Sequence, residues 1–443
     1  MKKLLLIITL SLLTSSNSYA ERLNWFFSKW LSENGHHQYL NEQGSHNLNI
    51  KIKNKAFSAT NIAYHSNPNR DTLIYYLWKY SYRDRSQHLK EFKPTNSSYD
   101  FKFNLIEDEF IKKQIKTVKK QMKTKGILSY LYYQDGEVLI DELSPKERLG
   151  EFLNNETKFY SMSMGKSVTS YLVGHAICEG YIDGVDARVN DWPIIKDSLY
   201  HDQKLINFLN MNTGDQKYVY DSVILEMGDV EYQTVEGEAD TNTIAFYMGN
   251  YFKNKKKSDR KYNYNVINTH LIFNYAMFKS GDNWQKLLNN IFQDKAKVKN
   301  SVYFFKVPNK FAENGDAQSM FYATRYDYLR VAKAIMDDWQ NDTCVGKYLK
   351  TIYNNRIEKK LTNPKRSLFR VEEATYSYGG QFHLDIKGMK DRKILGMGGH
   401  GGQQILIDVE NSRIVVLNTI HVNRKKYNYN WKKMVYEIIK DGV

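Results

Sequence analysis

The chain has 443 residues, 42% of them hydrophobic, which is enough for one large domain or two intertwined ones. Lysine and arginine outnumber aspartate and glutamate by 64 to 49, for a net charge of +15. The basic residues are spread along the chain among abundant Asn, Tyr and Ile with no nucleic-acid-binding motif, so the charge reads as a compositional bias with at most an unspecific attraction to anionic envelope polymers.

Residues 1–20 read as a secretory signal. Lys2 and Lys3 form a basic start, Leu4 to Leu13 an apolar core, and Ser18-Tyr19-Ala20 a small-residue cleavage site. The apolar run is short for a membrane span, and no cysteine follows the site to carry a lipid. An uncleaved anchor is the alternative; the expected location is periplasmic or secreted, with no stable membrane insertion after cleavage. Residues 21–105 are aromatic and polar, with strand-like runs such as Thr72 to Trp78, and are taken as an N-terminal extension of unassigned role. His36-His37 within it reads as an exposed pair. There is no zinc spacing, no glycine-rich phosphate loop and no His-Glu-x-x-His, and no metal or organic cofactor is expected.

From residue 106 onward the pattern becomes regular, and residues 106–443 are read as one domain. Phe110, Ile111, Ile115, Val118 and Met122 predict a helix that Gly126 closes. Ile127 to Tyr133 and Glu137 to Leu143 predict a β-hairpin turned at Asp135-Gly136.

The next segment carries the chemistry. Ser163-Met164-Gly165-Lys166 opens an apolar stretch, Val168 to Ile177, that ends near Gly180, a helix-terminating glycine. On a helix, positions i and i+3 share a face, so Lys166 stands one turn above Ser163. A serine hydroxyl needs a base within hydrogen-bond reach, and a lysine on a buried face is desolvated towards its neutral, basic form. The helix N-terminus also presents positive dipole where an oxyanion would form. The bland reading is an N-cap serine with a surface lysine. Ser-x-x-Lys recurs at Ser258/Lys261, but inside the charged run Lys253 to Lys261, which reads as a solvated loop that could also draw acidic substrates. Cys178, in the apolar helix, reads as a buried small hydrophobe rather than as half of a bridge to Cys344.

Residues 180–320 are irregular, with several helices. Asp327 to Trp339 predicts a helix on Leu329, Val331, Ala332, Ile335 and Met336. Tyr376 to Leu384, Lys393 to Met397, Gln403 to Asp408 and Arg413 to Thr419 predict strands, and Trp431, Met434, Val435, Ile438 and Ile439 a closing helix. Strands at both ends of the domain, with helices between, predict an α/β (α+β) fold: one sheet from N- and C-terminal parts, flanked by helices, with an inserted helical region.

Phe159-Tyr160-Ser161-Met162-Ser163-Met164-Gly165-Lys166-Ser167 resembles the nucleophile segment of the serine β-lactamase-like superfamily, closest to its class C-like esterase and 6-aminohexanoate-dimer hydrolase branch. Glu179 to Asp183, Val189 to Trp192, Leu205 to Gly214, Met320 to Asp327 and Gly399-His400-Gly401-Gly402-Gln403 resemble further family segments in the family's order, over roughly residues 106–440. The resemblance implies a β-lactamase/penicillin-binding-protein-like fold with its antiparallel sheet. It also implies Tyr264 as the catalytic tyrosine within Tyr262-Asn263-Tyr264-Asn265-Val266, with Val266 where the family has Asn or Ser and Tyr262 as the fallback. His400, Gly401 and Gly402 would line the substrate side, and the backbone N–H of Gln403 would join that of Ser163 in an oxyanion hole. As plain structure, Tyr264 is an aromatic before an apolar run and His400 a satisfied edge-strand histidine.

The mechanism this implies is attack by Ser163 on an ester or amide carbonyl of a small-molecule or peptide-like substrate, with Lys166 and Tyr264 shuttling the proton and water releasing the acyl group. Two other readings compete. A β-lactamase or D,D-peptidase is disfavoured by His400 in place of the family's lysine. A non-catalytic binding protein retaining the fold is disfavoured by Ser163, Lys166 and a tyrosine together.

Overall fold

The computed structural model describes residues 50–52, 55–57, 100–104, 108–150, 153–220, 223–224, 244–307, 316–359, 368–420 and 428–443. The signal segment 1–20, nearly all of the extension 21–105 including Thr72 to Trp78, and His36-His37 lie outside the described residues.

Among the described residues, a nine-stranded sheet organises the domain. Its strands in chain order are β1 (Lys102–Phe103), β2 (Ile127–Gln134), β3 (Glu137–Leu143), β7 (Ile357–Glu358), β8 (Thr375–Gly379), β9 (Phe382–Ile386), β10 (Ile394–Gly399), β11 (Gln403–Asp408) and β12 (Arg413–Thr419). A smaller three-stranded sheet holds β4 (Lys158–Tyr160), β5 (Tyr303–Val307) and β6 (Asp316–Thr324). In space the large sheet runs β7-β8-β9-β10-β11-β12-β2-β3-β1, so the N-terminal hairpin pairs with the last strand, Val416 opposite Leu131. All neighbours are antiparallel except β1, which lies parallel to β3. The one-sheet, two-ended organisation expected from the sequence is therefore present.

The β2–β3 turn forms as expected. Asp135 and Gly136 both take positive φ, 49° and 97°, the backbone that a two-residue hairpin with native twist requires. The strand expected over Tyr376 to Leu384 is instead two strands, β8 and β9, separated by Gly380 and Gln381 at φ 56° and 65°. The alternation continues through this turn, so periodicity alone does not register the reversal.

Both faces of the sheet are covered, which is why β2, β10 and β11 are buried along their whole lengths. Alternate residues serve different cores. Tyr130, Tyr132, Leu406, Val415 and Leu417 face a cluster with Ile111, Val118 and Met122 of helix α1 (Glu109–Met122) and Trp431, Val435, Ile438 and Ile439 of the C-terminal helical segment. Leu131, Tyr133, Ile405, Ile407 and Val416 face the larger cluster, shared with α2 (Met164–Cys178), α3 (Ile267–Ser280), α4 (Arg325–Gln340) and α5 (Cys344–Asn354). Helix α4 starts where Thr324 and Asp327 cap each other. Thr324 Oγ1 accepts the Asp327 N–H at 3.2 Å and donates to Asp327 Oδ2 at 2.7 Å.

One expectation is overturned. Cys178 is not a lone buried thiol: it is disulfide-bonded to Cys344, with Cα atoms 5.8 Å apart. The bridge joins the end of α2 to the start of α5, across 166 residues of sequence. Local sequence around Cys178 carries no trace of a partner so remote. Because cross-linking so long a loop restricts the unfolded chain, replacing both cysteines by serine should cost about 2–4 kcal/mol of stability. Urea denaturation of the double variant beside the oxidised protein measures this, and thiol titration of the unfolded wild type should find no free cysteine.

Candidate active site

Helix α2 is buried on almost every side, including polar residues Lys166, Ser167, Thr169 and Ser170, so it is a central element rather than an amphipathic cover. Its N-terminal turn follows β4, which pairs with β6, and Ser161 locks this approach. Ser161 N–H donates to the Phe321 carbonyl at 2.8 Å, and Ser161 Oγ accepts from the Phe321 N–H at 2.8 Å. Met162 then takes φ 49°, a left-handed backbone that a side-chain-bearing residue seldom adopts outside constrained sites. This turn swings Ser163 onto the helix start, half-buried, with the positive end of the helix dipole behind it.

Lys166 is 1% exposed, and its Nζ donates to Ser163 Oγ at 3.2 Å. The same Nζ stands 5.3 Å from the centre of the Tyr264 ring. The structure therefore brings Ser163, Lys166 and Tyr264 together, and the N-cap-with-surface-lysine reading does not hold: Lys166 is buried and Ser163 makes no side-chain cap hydrogen bond. Val266 is the N-cap residue of α3, partly buried against the main core. The fallback Tyr262 packs on Tyr378, ring centres 5.2 Å apart.

Two histidines absent from the sequence reading approach this group. His270, on α3, has its pKa lowered to about 3 by burial and by the nearby Lys166 charge. His383, on β9, is held well below its ordinary value by burial, then by Lys359, Arg370 and Lys166. Its ring lies stacked near Tyr264, centres 6.1 Å apart, and its Nδ1 is 3.3 Å from Lys359 Nζ. His270 lies one turn into α3 after the Tyr264 loop, whereas His383 comes to Tyr264 from more than a hundred residues further along the chain, so its approach has no local signal in sequence.

Gln381 braces the same floor. Its carbonyl accepts Ser167 Oγ at 2.6 Å, its Oε1 accepts Thr269 Oγ1 at 2.8 Å, and its Nε2 donates to the Phe208 and Leu209 carbonyls at 3.0 Å. This one residue, through its carbonyl and its side chain, joins α2, α3 and the short helix Leu205–Leu209 to the β8–β9 turn.

The glycine-rich motif sits at the end of β10. A Cβ on Gly399 would meet the Ser161 carbonyl at 2.6 Å, so only glycine lets the strand lie this close to the segment that leads into Ser163. His400, Gly401 and Gly402 form the turn into β11 rather than a strand, and His400 is exposed there. The Gly402 carbonyl accepts from Tyr429 Oη at 2.9 Å, and the Gly401 carbonyl from Thr419 Oγ1. Gln403 is fully buried opposite Gly399, its side chain exchanging hydrogen bonds with the Thr419 backbone. That pairing fixes the start of β11 at the edge of the site. In the basic run, Lys253, Lys256, Lys257, Arg260 and Lys261 are exposed, as the solvated-loop reading expects.

No protein-family model and no curated protein matches this sequence. Solved structures match its fold. A Bacillus anthracis protein named as a 6-aminohexanoate-dimer hydrolase is 13% identical, over 82% of this chain and 93% of that one, with a TM-score of 0.55. A Bacteroides dorei protein named as a β-lactamase is 14% identical, over 75% and 98%, with a TM-score of 0.54. EstCE1, a hydrolase with promiscuous acyltransferase activity, is 13% identical, over 74% and 99%, with a TM-score of 0.50. The chain has the serine β-lactamase-like fold of these hydrolases.

The histidines give the site's surroundings a pH signature. His270 binds its proton near pH 3 when folded and near 6.5 when unfolded, and His175 of α2 is likewise lowered to about 4, by burial first. Between these values the unfolded chain holds more protons, so stability should fall as pH drops from about 6.5 towards 4, by up to about 1.4 kcal/mol per pH unit for each histidine. Denaturation at stepped pH checks this, and His270→Gln should flatten the slope.

Proposed function

We propose that this chain, built on the serine β-lactamase-like hydrolase fold, is an exported serine hydrolase that cleaves an ester or amide bond through an acyl-enzyme on Ser163. The observation that carries the reading is the hydrogen bond from buried Lys166 Nζ to Ser163 Oγ, 3.2 Å long, at the N-terminus of a central helix. A buried amine beside a hydroxyl is the pairing that nucleophilic catalysis requires.

In this mechanism Ser163 Oγ attacks the carbonyl carbon while Lys166 accepts the hydroxyl proton. Tyr264, its ring over the same amine, relays that proton to the leaving alcohol or amine. The oxyanion is held by the backbone N–H groups of Ser163 and Gln403, aided by the dipole of α2. Water then attacks the acyl-enzyme and restores Ser163. In this reading His400, exposed in the turn that follows Gly399, lines the substrate side of the site. Small-molecule or peptide-like esters and amides suit this chemistry, and the 6-aminohexanoate-dimer hydrolase and acyl-transferring hydrolase of the same fold agree with acyl transfer. The export half of the proposal rests on the signal-like residues 1–20 and is supported by the Cys178–Cys344 disulfide, a bond that persists in oxidising compartments.

A fluorophosphonate probe with peptide mass mapping tests the reading. Wild type should be labelled on Ser163 and Ser163→Ala should fold and take no label. Lys166→Ala and Tyr264→Phe should label more slowly, by about 10²- to 10⁴-fold for a lost proton-transfer group. Undiminished labelling of Ser163→Ala would overturn the assignment, and a folded wild type that takes no label would return the chain to a binding protein that retains the fold.

A further inference from the structure

Beneath the loop that carries Tyr264 lies a fully buried carboxylate that the mechanism does not use. Asp215 is 0% exposed and directly follows the Leu205 to Gly214 segment. Its Oδ1 accepts from Asn263 Nδ2 at 2.7 Å. Its Oδ2 accepts from Asn265 Nδ2 at 3.1 Å, Asn268 Nδ2 at 3.0 Å and Tyr200 Oη at 3.1 Å. Burying a carboxylate is costly unless its oxygens are satisfied, and four donors converge here to do so. Two of the four are the residues on either side of Tyr264.

That placement has a stereochemical consequence. The side chains of Asn263 and Asn265 go to one side of the segment, to Asp215, while the ring of Tyr264 between them goes to other partners. With Asn263 and Asn265 both drawn inward to Asp215, Tyr264 is turned outward, and its ring meets Lys166, Tyr378 and His383. The clamp is also tied to rigid elements. Asn263 N–H donates to the Met211 carbonyl at 2.8 Å, and Asn265 Oδ1 accepts the backbone N–H of Asn268 in the first turn of α3 at 3.0 Å.

We propose that Asp215 is the positioning residue for Tyr264: one carboxylate, gripping the asparagines on both sides, sets the direction of the phenol towards Lys166 and Ser163. The inference rests on Tyr264 being the proton relay of the function proposed above. It also accounts for the Asn-Tyr-Asn pattern without assigning either asparagine to the substrate.

Asp215→Asn tests it, because the new amide turns one oxygen into a donor, which faces Asn263 on one side or Asn265 and Asn268 on the other, and so must break at least one of these bonds. The variant is compared with Tyr264→Phe and with the double variant in two measurements. Amide hydrogen exchange of residues 262–266 should quicken by about tenfold or more in the folded Asp215→Asn protein while the rest of α3 keeps its protection. Labelling of Ser163 should slow by about 10²-fold, the scale of a displaced catalytic group. The double variant should then label no more slowly than the slower single variant, because both changes remove one function. Unchanged exchange at 262–266, or a labelling loss that adds in full to that of Tyr264→Phe, overturns the proposal. Should Asp215→Asn not fold, Asn263→Ala, which leaves three of the donors in place, is carried through the same cycle with the same criteria. A wild type that takes no label defeats the hydrolase reading instead, and the exchange measurement then decides the clamp by itself.

Discussion

A lysine amine held inside the protein and within reach of a serine hydroxyl is the constraint around which the domain is arranged. Lys166 can be buried only if the helix beneath it is covered on all sides, and α2 is: β10 and β11 lie against it from the sheet, α3 and α5 from the helical layer. The same burial would be ruinous for an amine with nothing to donate to, and Ser163 Oγ meets that need. The Ser163 segment must also be delivered at the right angle. The left-handed Met162 and the pair of hydrogen bonds between Ser161 and the Phe321 backbone achieve this, and Gly399 carries no side chain, so β10 can approach. Strain at one residue is sustained because the surrounding contacts over-determine it.

Around that amine the interior is polar but largely satisfied, and each polar side chain spans elements far apart in sequence. Gln381 joins the β8–β9 turn to three helices, Asp215 gathers the Tyr264 loop, and Asp327 binds the start of α4 to the backbone N–H groups of Lys299 and Asn300. Such networks contribute less by their net energy than by their selectivity. A buried group missing its partner costs enough to exclude alternative packings, so the arrangement of loops around the site is unique. The two histidines near Lys166 fit this logic: His270 and His383 stay neutral in the folded protein and add no second charge to the pocket.

The disulfide belongs to the same design on a larger scale. It secures the far end of α2 to α5, as the Ser163 turn secures the near end to the small sheet. Helix α2 is thus fixed at both termini, and the Ser163–Lys166 contact gains from a helix that is held in place.

Local physics was readable from residues. Helix α1, the β2–β3 hairpin, α2 with its stop near Gly180, α4 and strands β10 to β12 all follow from periodicity, capping and turn chemistry, because those signals lie within a few residues of what they control. The Ser163–Lys166 pairing was readable for the same reason: a helix puts i and i+3 on one face whatever else the chain does. What only the tertiary structure decided is the set of contacts between segments far apart in the chain. The Cys178–Cys344 bond, the meeting of Tyr264 with Lys166, the approach of His383 and the seating of Gly399 against Ser161 are products of sheet order and layer packing, which no local window encodes. Asp215 marks the boundary between the two. It is one acidic residue after a turn in the sequence, and it becomes the hub of the tyrosine loop only because burial leaves its carboxylate dependent on the asparagines that the fold brings to it.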